Sequence, residues 1–400
     1  MTAIARAPTA GSLNFVLLLT SNAILGTALP MMIVLGGLAG LILAPSPGLA
    51  TLPASISTLA GLVAAAPFSL FMGRYGRQAG FLLGALFHGV GGAAAVLGLM
   101  QGSFLIFLIG HALLGAALAC FLFFRFAAAE VVAERWKSVA ISLMLTSGLI
   151  AALIGPEVFE RTKDTLLPVP FAGAYAAIAV LAGLGAVPLL FLRGLGAASV
   201  SQPGTAPKVD TRAVLRRPAV AGAIVAAALA QGVMALLMVP TPIVMVACGF
   251  DAATGASVVG LHVVAMFAPS FFTGFLIQRL GARRIVYGGL SLLAVSGGIA
   301  ASGITLGHFY AALILLGVGW NFAFIGATSL LTDALAPQER AVIQGINDTA
   351  IALASALAAF ASGALFVGVG WSVLALLAIP VVTGAALMLF WTGRAAPAQA

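Results

Sequence analysis

Charge is the scarcest thing in this chain. Only 7% of its 400 residues are Asp, Glu, Lys or Arg, where a soluble globular domain carries roughly a quarter. That shortage excludes a water-soluble fold. Cysteine is nearly absent as well: Cys120 and Cys248 are the only two, so no disulfide framework holds the molecule together. The longest polar stretch is the loop 194–217, which leaves no segment for a soluble catalytic domain and predicts no enzymatic reaction. No nucleotide-binding loop is legible, because the glycines lie inside apolar blocks, where they let helices pack closely. The first apolar block is too long for the core of a cleavable signal, and no such signal is expected.

What the chain has in excess is apolar surface, 62% of its residues. It comes in blocks, each sufficient for the roughly 20 residues that cross a bilayer. Cutting at charges, prolines and glycine turns gives twelve spans: 13–42, 51–72, 79–100, 103–128, 138–156, 170–192, 218–247, 253–278, 285–303, 307–332, 341–366 and 371–392. The expected fold class is an all-α membrane protein with a lipid bilayer as its solvent.

The net charge of +8 does not point to nucleic acid, because of where the basic residues fall. With the N-terminus inside, sixteen of the eighteen Lys and Arg lie on cytoplasmic segments. These run from Arg6 through Arg125, Arg135, Lys137, Arg193, Lys208, Arg212, Arg216 and Arg217 to Arg284, Arg340 and Arg394, with the loop arginines named below. Only Arg161 and Lys163 face out. The positive-inside rule therefore places both termini in the cytoplasm.

The two halves of the chain match at an offset of 205 residues. GRYGR from Gly73 lies over QRLGA from Gln278, and Glu134-Arg135 over Glu339-Arg340. The spans thus divide into an N-terminal six-helix bundle (1–193), a cytoplasmic linker (194–217, with SVSQPGTAPKVD at its centre) and a C-terminal six-helix bundle (218–400). Two pseudo-symmetric halves joined by a basic loop resemble the major facilitator superfamily over essentially the whole chain. That family's loop signature reads G-x-x-x-D-R-x-G-R-[RK]. The first copy keeps Arg74, Gly76 and Arg77 but has Ser69 and Gly73 where Gly and Asp are usual. The second keeps Gly274, Arg279, Gly281 and Arg283, with Gln278 and Ala282 in place of Asp and Arg. The resemblance implies transport by alternating access and a gating role for Arg74, Arg77, Arg279 and Arg283. Positive-inside anchoring accounts for them equally well.

A cargo site is expected near the midplane, where broken helices contribute. Span 7 is such a helix, since Pro240 and Pro242 withhold backbone donors and Gly232 loosens the turn before them. It carries MALLM, with Met234, Met238 and Met245 on one helical stripe, and span 8 carries HVVAM. Counted from the shared outer end, Met238 and His262 are each nine residues in, and Met234 and Met266 thirteen. That puts two rungs roughly 6 Å apart. Thioethers plus one imidazole suit a soft ion, Cu(I) above all, and suit hard oxygen-seeking ions poorly. Methionine is also ordinary core filler, so packing stands beside metal binding.

The paired motifs M-x-x-x-M and H-x-x-x-M, with GVGWNF (Gly317 to Phe322) and QGINDTA (Gln344 to Ala350), resemble the CcoA-like transporters. These are bacterial major facilitator proteins that import copper for assembly of the cbb-type cytochrome c oxidase. The resemblance implies metal roles for Met234, Met238, His262 and Met266. It also implies a monomer in the bacterial inner membrane with no prosthetic group, which takes copper from a periplasmic donor and passes it to a cytoplasmic chaperone or exporter. A related subgroup carries riboflavin instead.

Met31 and Met32 are expected either to face lipid or to meet metal at the outer mouth, and Met245 and Cys248 are further candidates there. Asn321, Asn347 and Asp348 are polar residues inside spans and hence functional candidates by default. Either proton coupling or hydrogen bonding that fixes spans 10 and 11 would explain them. His88 and His111 are alternative proton carriers. Copper import is the leading expectation. The alternatives are a riboflavin or other organic-solute transporter, with Trp320 and Phe322 to stack on the cargo, and a non-transporting copper-handling assembly factor.

Overall fold

A computed structural model describes residues 10–133, 136–193, 210–336 and 338–394. Arg6, the pair Glu134 and Arg135, and linker residues 194–209, Lys208 among them, lie outside the described residues. Every described regular element is a helix. Nine helical segments are long and apolar enough to cross a membrane among the described residues, and a bent pair makes a tenth. Lys137–Thr162 and Ala378–Arg394 occupy the places of spans 5 and 12.

The spans break where the sequence withholds a backbone donor. Span 7 is Pro218–Met238 followed by Thr241–Ala247, interrupted at Pro240. There the Thr241 hydroxyl donates to the Leu237 carbonyl at 2.6 Å, a side-chain substitute beside the gap. Span 8, expected as one helix over 253–278, is two: Ala252–Phe267 and Ser270–Leu280, bent by 40°. Pro269 has no N–H to continue the ladder. The remaining spans that position the site are 9 (Ala282–Ser302) and 10 (Leu306–Asp333). Span 11 starts at Arg340, and Gly370 turns the chain from it into span 12 with φ 80°.

By their contacts the residues fall into two units, Met1–Met31 with Ala60–Gln202, and Met32–Leu59 with Pro203–Ala400. This division differs from one made at the linker. The outer part of span 1, the first outer loop and the start of span 2 pack within the second unit. Gly37 lies against Ile243, and the Thr51 hydroxyl donates to the Phe360 carbonyl at 3.5 Å. Small side chains allow that close approach.

In the first unit, Phe81 stacks on Phe124 with ring centroids 4.2 Å apart, amid a core of Leu18, Leu25 and Phe68. Asn14 and Gln78 cap the inner end of span 6 (Ala172–Leu190) by donating to the carbonyls of Arg193 and Leu189, groups a helix end leaves unpaired. Spans 3 (Arg77–Gln101) and 4 (Phe104–Phe121) cross at Gly91 and Gly110, where a Cβ on Gly91 would stand 2.9 Å from the Gly110 carbonyl oxygen. The second unit repeats the device. A Cβ on Gly289 in span 9 would stand 2.7 Å from the Gly319 carbonyl oxygen in span 10. The repeat also reaches the backbone of the loops: Gly76 and Gly281, matched by sequence, adopt φ 91° and 85°, a region open to glycine and strained for other residues.

Candidate functional site

His262 sits fully buried in the outer segment of span 8 and turns toward span 10. Its Nδ1 lies 2.7 Å from the carbonyl oxygen of Leu313. A carbonyl can only accept, so Nδ1 carries the proton and the neutral ring presents a bare lone pair at Nε2. That nitrogen has no hydrogen-bond partner in the structure. An Nδ1–H held by a backbone carbonyl with Nε2 free is the arrangement that prepares an imidazole to bind metal. Gly317 makes it possible, since a Cβ there would press on the His262 carbonyl at 2.7 Å. Met234, Met238 and Met266 are buried, as is Met245. Span 10 packs along both the inner segment of span 7 and the outer segment of span 8. Among the described residues no three His, Cys, Asp or Glu side chains gather as a metal site. A metal here would therefore depend on thioethers and His262.

The three polar residues grouped by the sequence do not form one network. Asn321 serves the break in span 8: its Nδ2 donates to the Met266 carbonyl and to Ser270 Oγ, each at 2.7 Å. Its Oδ1 accepts from Thr273 Oγ1 at 2.7 Å. The Met266 carbonyl, near Pro269, is thus satisfied from span 10. Asn347 instead donates to its neighbour Asp348 at 3.3 Å, and Asp348 is exposed. The fixing role foreseen for spans 10 and 11 belongs to spans 8 and 10.

A second neighbourhood lies farther in along span 10. The indole N–H of Trp320 donates to Gln231 Oε1 at 2.7 Å, and Gln231 Nε2 donates to Ser355 Oγ at 3.3 Å. One amide thereby ties span 7 to spans 10 and 11 and locks the orientation of the indole. Phe324, one turn on, stacks on Trp320 at 4.7 Å and 22°, while Phe267 meets it edge-on at 6.3 Å. Beyond Phe324 opens a cavity of about 310 Å³ lined by Phe324, Ile325, Thr328, Ser329, Thr332 and Asp333. Trp320 was legible in the sequence as a stacking candidate. Its partner was not: Phe322, two residues on and on another face, packs edge-on against Phe272. The i, i+4 spacing of Trp320 and Phe324 was the available signal; Gln231 and Ser355 carried none.

Comparison with known proteins bears on this arrangement. Residues 226–400 match the model of the Major Facilitator Superfamily. The riboflavin transporter RfnT of Brucella anthropi is 39% identical over 94% of each chain. The uncharacterized MFS-type transporter YddS of Bacillus subtilis (strain 168) is 30% identical, over 89% of this chain and 87% of its own. This chain belongs to the major facilitator superfamily. The solved structure of the POT family transporter PepTSo superposes with a TM-score of 0.74 at 12% identity, covering 95% of this facilitator and 97% of that chain. The facilitator is accordingly a multi-pass membrane transporter, with twelve spans in two pseudo-symmetric halves.

The other foreseen positions of this facilitator fall as follows. Met31 and Met32 are buried rather than lipid-facing, 1% and 5% exposed. Cys248 is partly exposed with a free thiol at the end of Thr241–Ala247. Arg161 and Lys163 pair with Glu157 and Glu160 at 2.6 and 2.9 Å, and Asp164, 4.0 Å from Lys163, is the one acid in excess there. On the cytoplasmic side Arg77 makes a forked pair with Glu130, at 2.6 and 3.2 Å. Arg74 lies over the Tyr75 ring at 5.3 Å. The second half, with Ala282 in the place of Arg77, uses another fork: Arg217 to Glu339 at 2.7 and 2.9 Å. That hydrogen-bonded guanidinium, helped by the Ala336 N–H, holds the Glu339 carboxyl below the usual glutamate range. Arg279 and Arg283 take part in no ion pair among the described residues.

Proposed function

We propose that this facilitator carries a flavin, riboflavin or a close analogue, across a bacterial inner membrane by alternating access and without chemistry on the cargo. The observation that carries the reading is the Trp320–Phe324 stack, fixed by Gln231 and opening on a cavity of about 310 Å³. A flat, oriented aromatic platform suits a planar ring, because offset stacking rewards two rigid π faces. The volume lies at the lower end of small-molecule pockets, roughly 300–1,000 Å³. Similarity to RfnT over nearly the whole length supports the same cargo class.

Copper is the second reading, and one observation favours it: the unpartnered Nε2 of His262, buried as Met234, Met238 and Met266 are. Under this reading the CcoA-like resemblance holds, Cu(I) is the transported substrate, and a periplasmic donor and a cytoplasmic acceptor protein flank the step. Uptake of labelled riboflavin and of radioactive copper, measured in parallel in cells lacking their own importers, separates the two. Riboflavin accumulation without copper accumulation is expected. The reverse would install copper as the cargo. Neither, with the protein present in the membrane, would overturn both.

A further inference from the structure

The groove beyond Phe324 is lined mainly by apolar surface, and set into it are three hydroxyl groups whose protons are already spent. Thr328 Oγ1 donates to the Phe324 carbonyl at 2.8 Å, Ser329 Oγ to Ile325 at 3.0 Å, and Thr332 Oγ1 to Thr328 at 2.8 Å. Each of these carbonyls only accepts, so each hydroxyl faces outward with oxygen lone pairs alone. The carboxylate of Asp333 stands at the inner end of the same cavity. The lining therefore offers acceptors and no side-chain donor.

Such a wall recognises a chain of O–H donors. It does not recognise a phosphate, which needs donors or positive charge and would meet Asp333. Phe324, Thr328 and Thr332 follow one another at a helical turn, roughly 6 Å apart, so an aromatic end and two hydroxyl steps lie in line. We infer that this groove is the subsite for the polyhydroxy tail of a flavin-type cargo, with its ring end at Phe324 and its phosphate-excluding end at Asp333. The assignment rests on the flavin reading above and adds to it a division of labour: the ring is held by stacking, the tail by hydroxyl oxygens. A cationic amine would also find acceptors here. Three neutral oxygens with a single carboxylate at the inner end fit a neutral polyol better.

The test uses the full-length protein at equal membrane levels, with competition against labelled riboflavin uptake. Three competitors differ only in the tail: riboflavin, lumiflavin (the same ring without the polyol) and flavin mononucleotide (the polyol closed by a phosphate). In the Thr328→Val, Thr332→Val double variant, riboflavin should weaken roughly tenfold, the worth of two lost hydrogen bonds, while lumiflavin competes as before. The hydroxyls bond only within their own helix, so valine leaves the fold intact, and serine at both positions should restore riboflavin. Asp333→Asn should let the mononucleotide compete where it does not against the parent. Equal weakening of riboflavin and lumiflavin, no change in either, or strong competition by the mononucleotide against the parent would each overturn the tail subsite. These outcomes leave flavin transport itself standing. A parent that takes up no riboflavin would instead remove the flavin reading, and the subsite with it.

Discussion

On the outer half of span 10 the Leu313 carbonyl holds the ring of the fully buried His262, one helical turn before the buried Met266. On the inner half of the same helix Phe324 stacks on Trp320 beside an open cavity. The first neighbourhood is chemically loud and sterically closed. The second is built of ordinary residues and is open. A cargo needs both chemistry and access, and the comparison shows how far a motif can speak for the first while saying nothing of the second.

The sharpest way to break the contrast is at the open site. Trp320→Ala should reduce riboflavin uptake at least about tenfold, since it removes the support on which Phe324 stacks and the anchor of Gln231 together. Trp320→Phe should cost less, keeping a ring but losing the N–H donor. If His262→Ala rather than Trp320→Ala collapses riboflavin uptake, the two neighbourhoods have been assigned the wrong way round.

Next in size is the brace between them. Asn321→Leu strands the Met266 carbonyl and the Ser270 hydroxyl, at roughly 1–3 kcal/mol for each buried group left unpaired, while Thr273 keeps its bond to the Pro269 carbonyl. A clear fall in the melting temperature of the purified protein is expected, and an unchanged one would mean the span 8 break is supported elsewhere. His262→Ala should have a smaller effect on stability, about 1–3 kcal/mol for the one carbonyl of Leu313, and leave riboflavin uptake within twofold of the parent.

The smallest effect belongs to the cytoplasmic fork of Arg217 and Glu339. Glu339 has a lowered pKa in the folded protein. Its contribution is therefore full above the ordinary glutamate pKa and fades as pH falls through the lowered value. Glu339→Gln should flatten that acid limb in a melting-temperature series and leave neutral pH nearly unchanged, as exposed pairs contribute little. An acid limb identical in the variant would show the fork to be silent.

Much of the fold was legible, and for a local reason. Pro240 foretold a broken span 7, because proline acts on its own backbone, and Gly76 and Gly281, matched at an offset of 205, share a positive φ. The site was legible only in part. Trp320 and Phe322 stand alike in the sequence as stacking candidates, whereas in the structure Trp320 stacks on Phe324 and Phe322 packs against Phe272. Pro269 breaks span 8 in the structure, although an apolar run had been read there as one helix. The cargo was drawn from MALLM and HVVAM, residues of real chemical character whose surroundings a sequence does not contain.

Composition and charge placement determined the class of protein, the twelve spans and their orientation. Those properties follow from local transfer of apolar blocks into lipid and from lysine and arginine staying in the cytoplasm. Tertiary structure alone decided which faces meet. The partners that define the two neighbourhoods stand far apart in the chain, 51 residues from His262 to Leu313, 89 from Gln231 to Trp320 and 124 from Gln231 to Ser355. Helix packing chooses such pairs by shape, through contacts like Gly317 against span 8, and no local pattern encodes them.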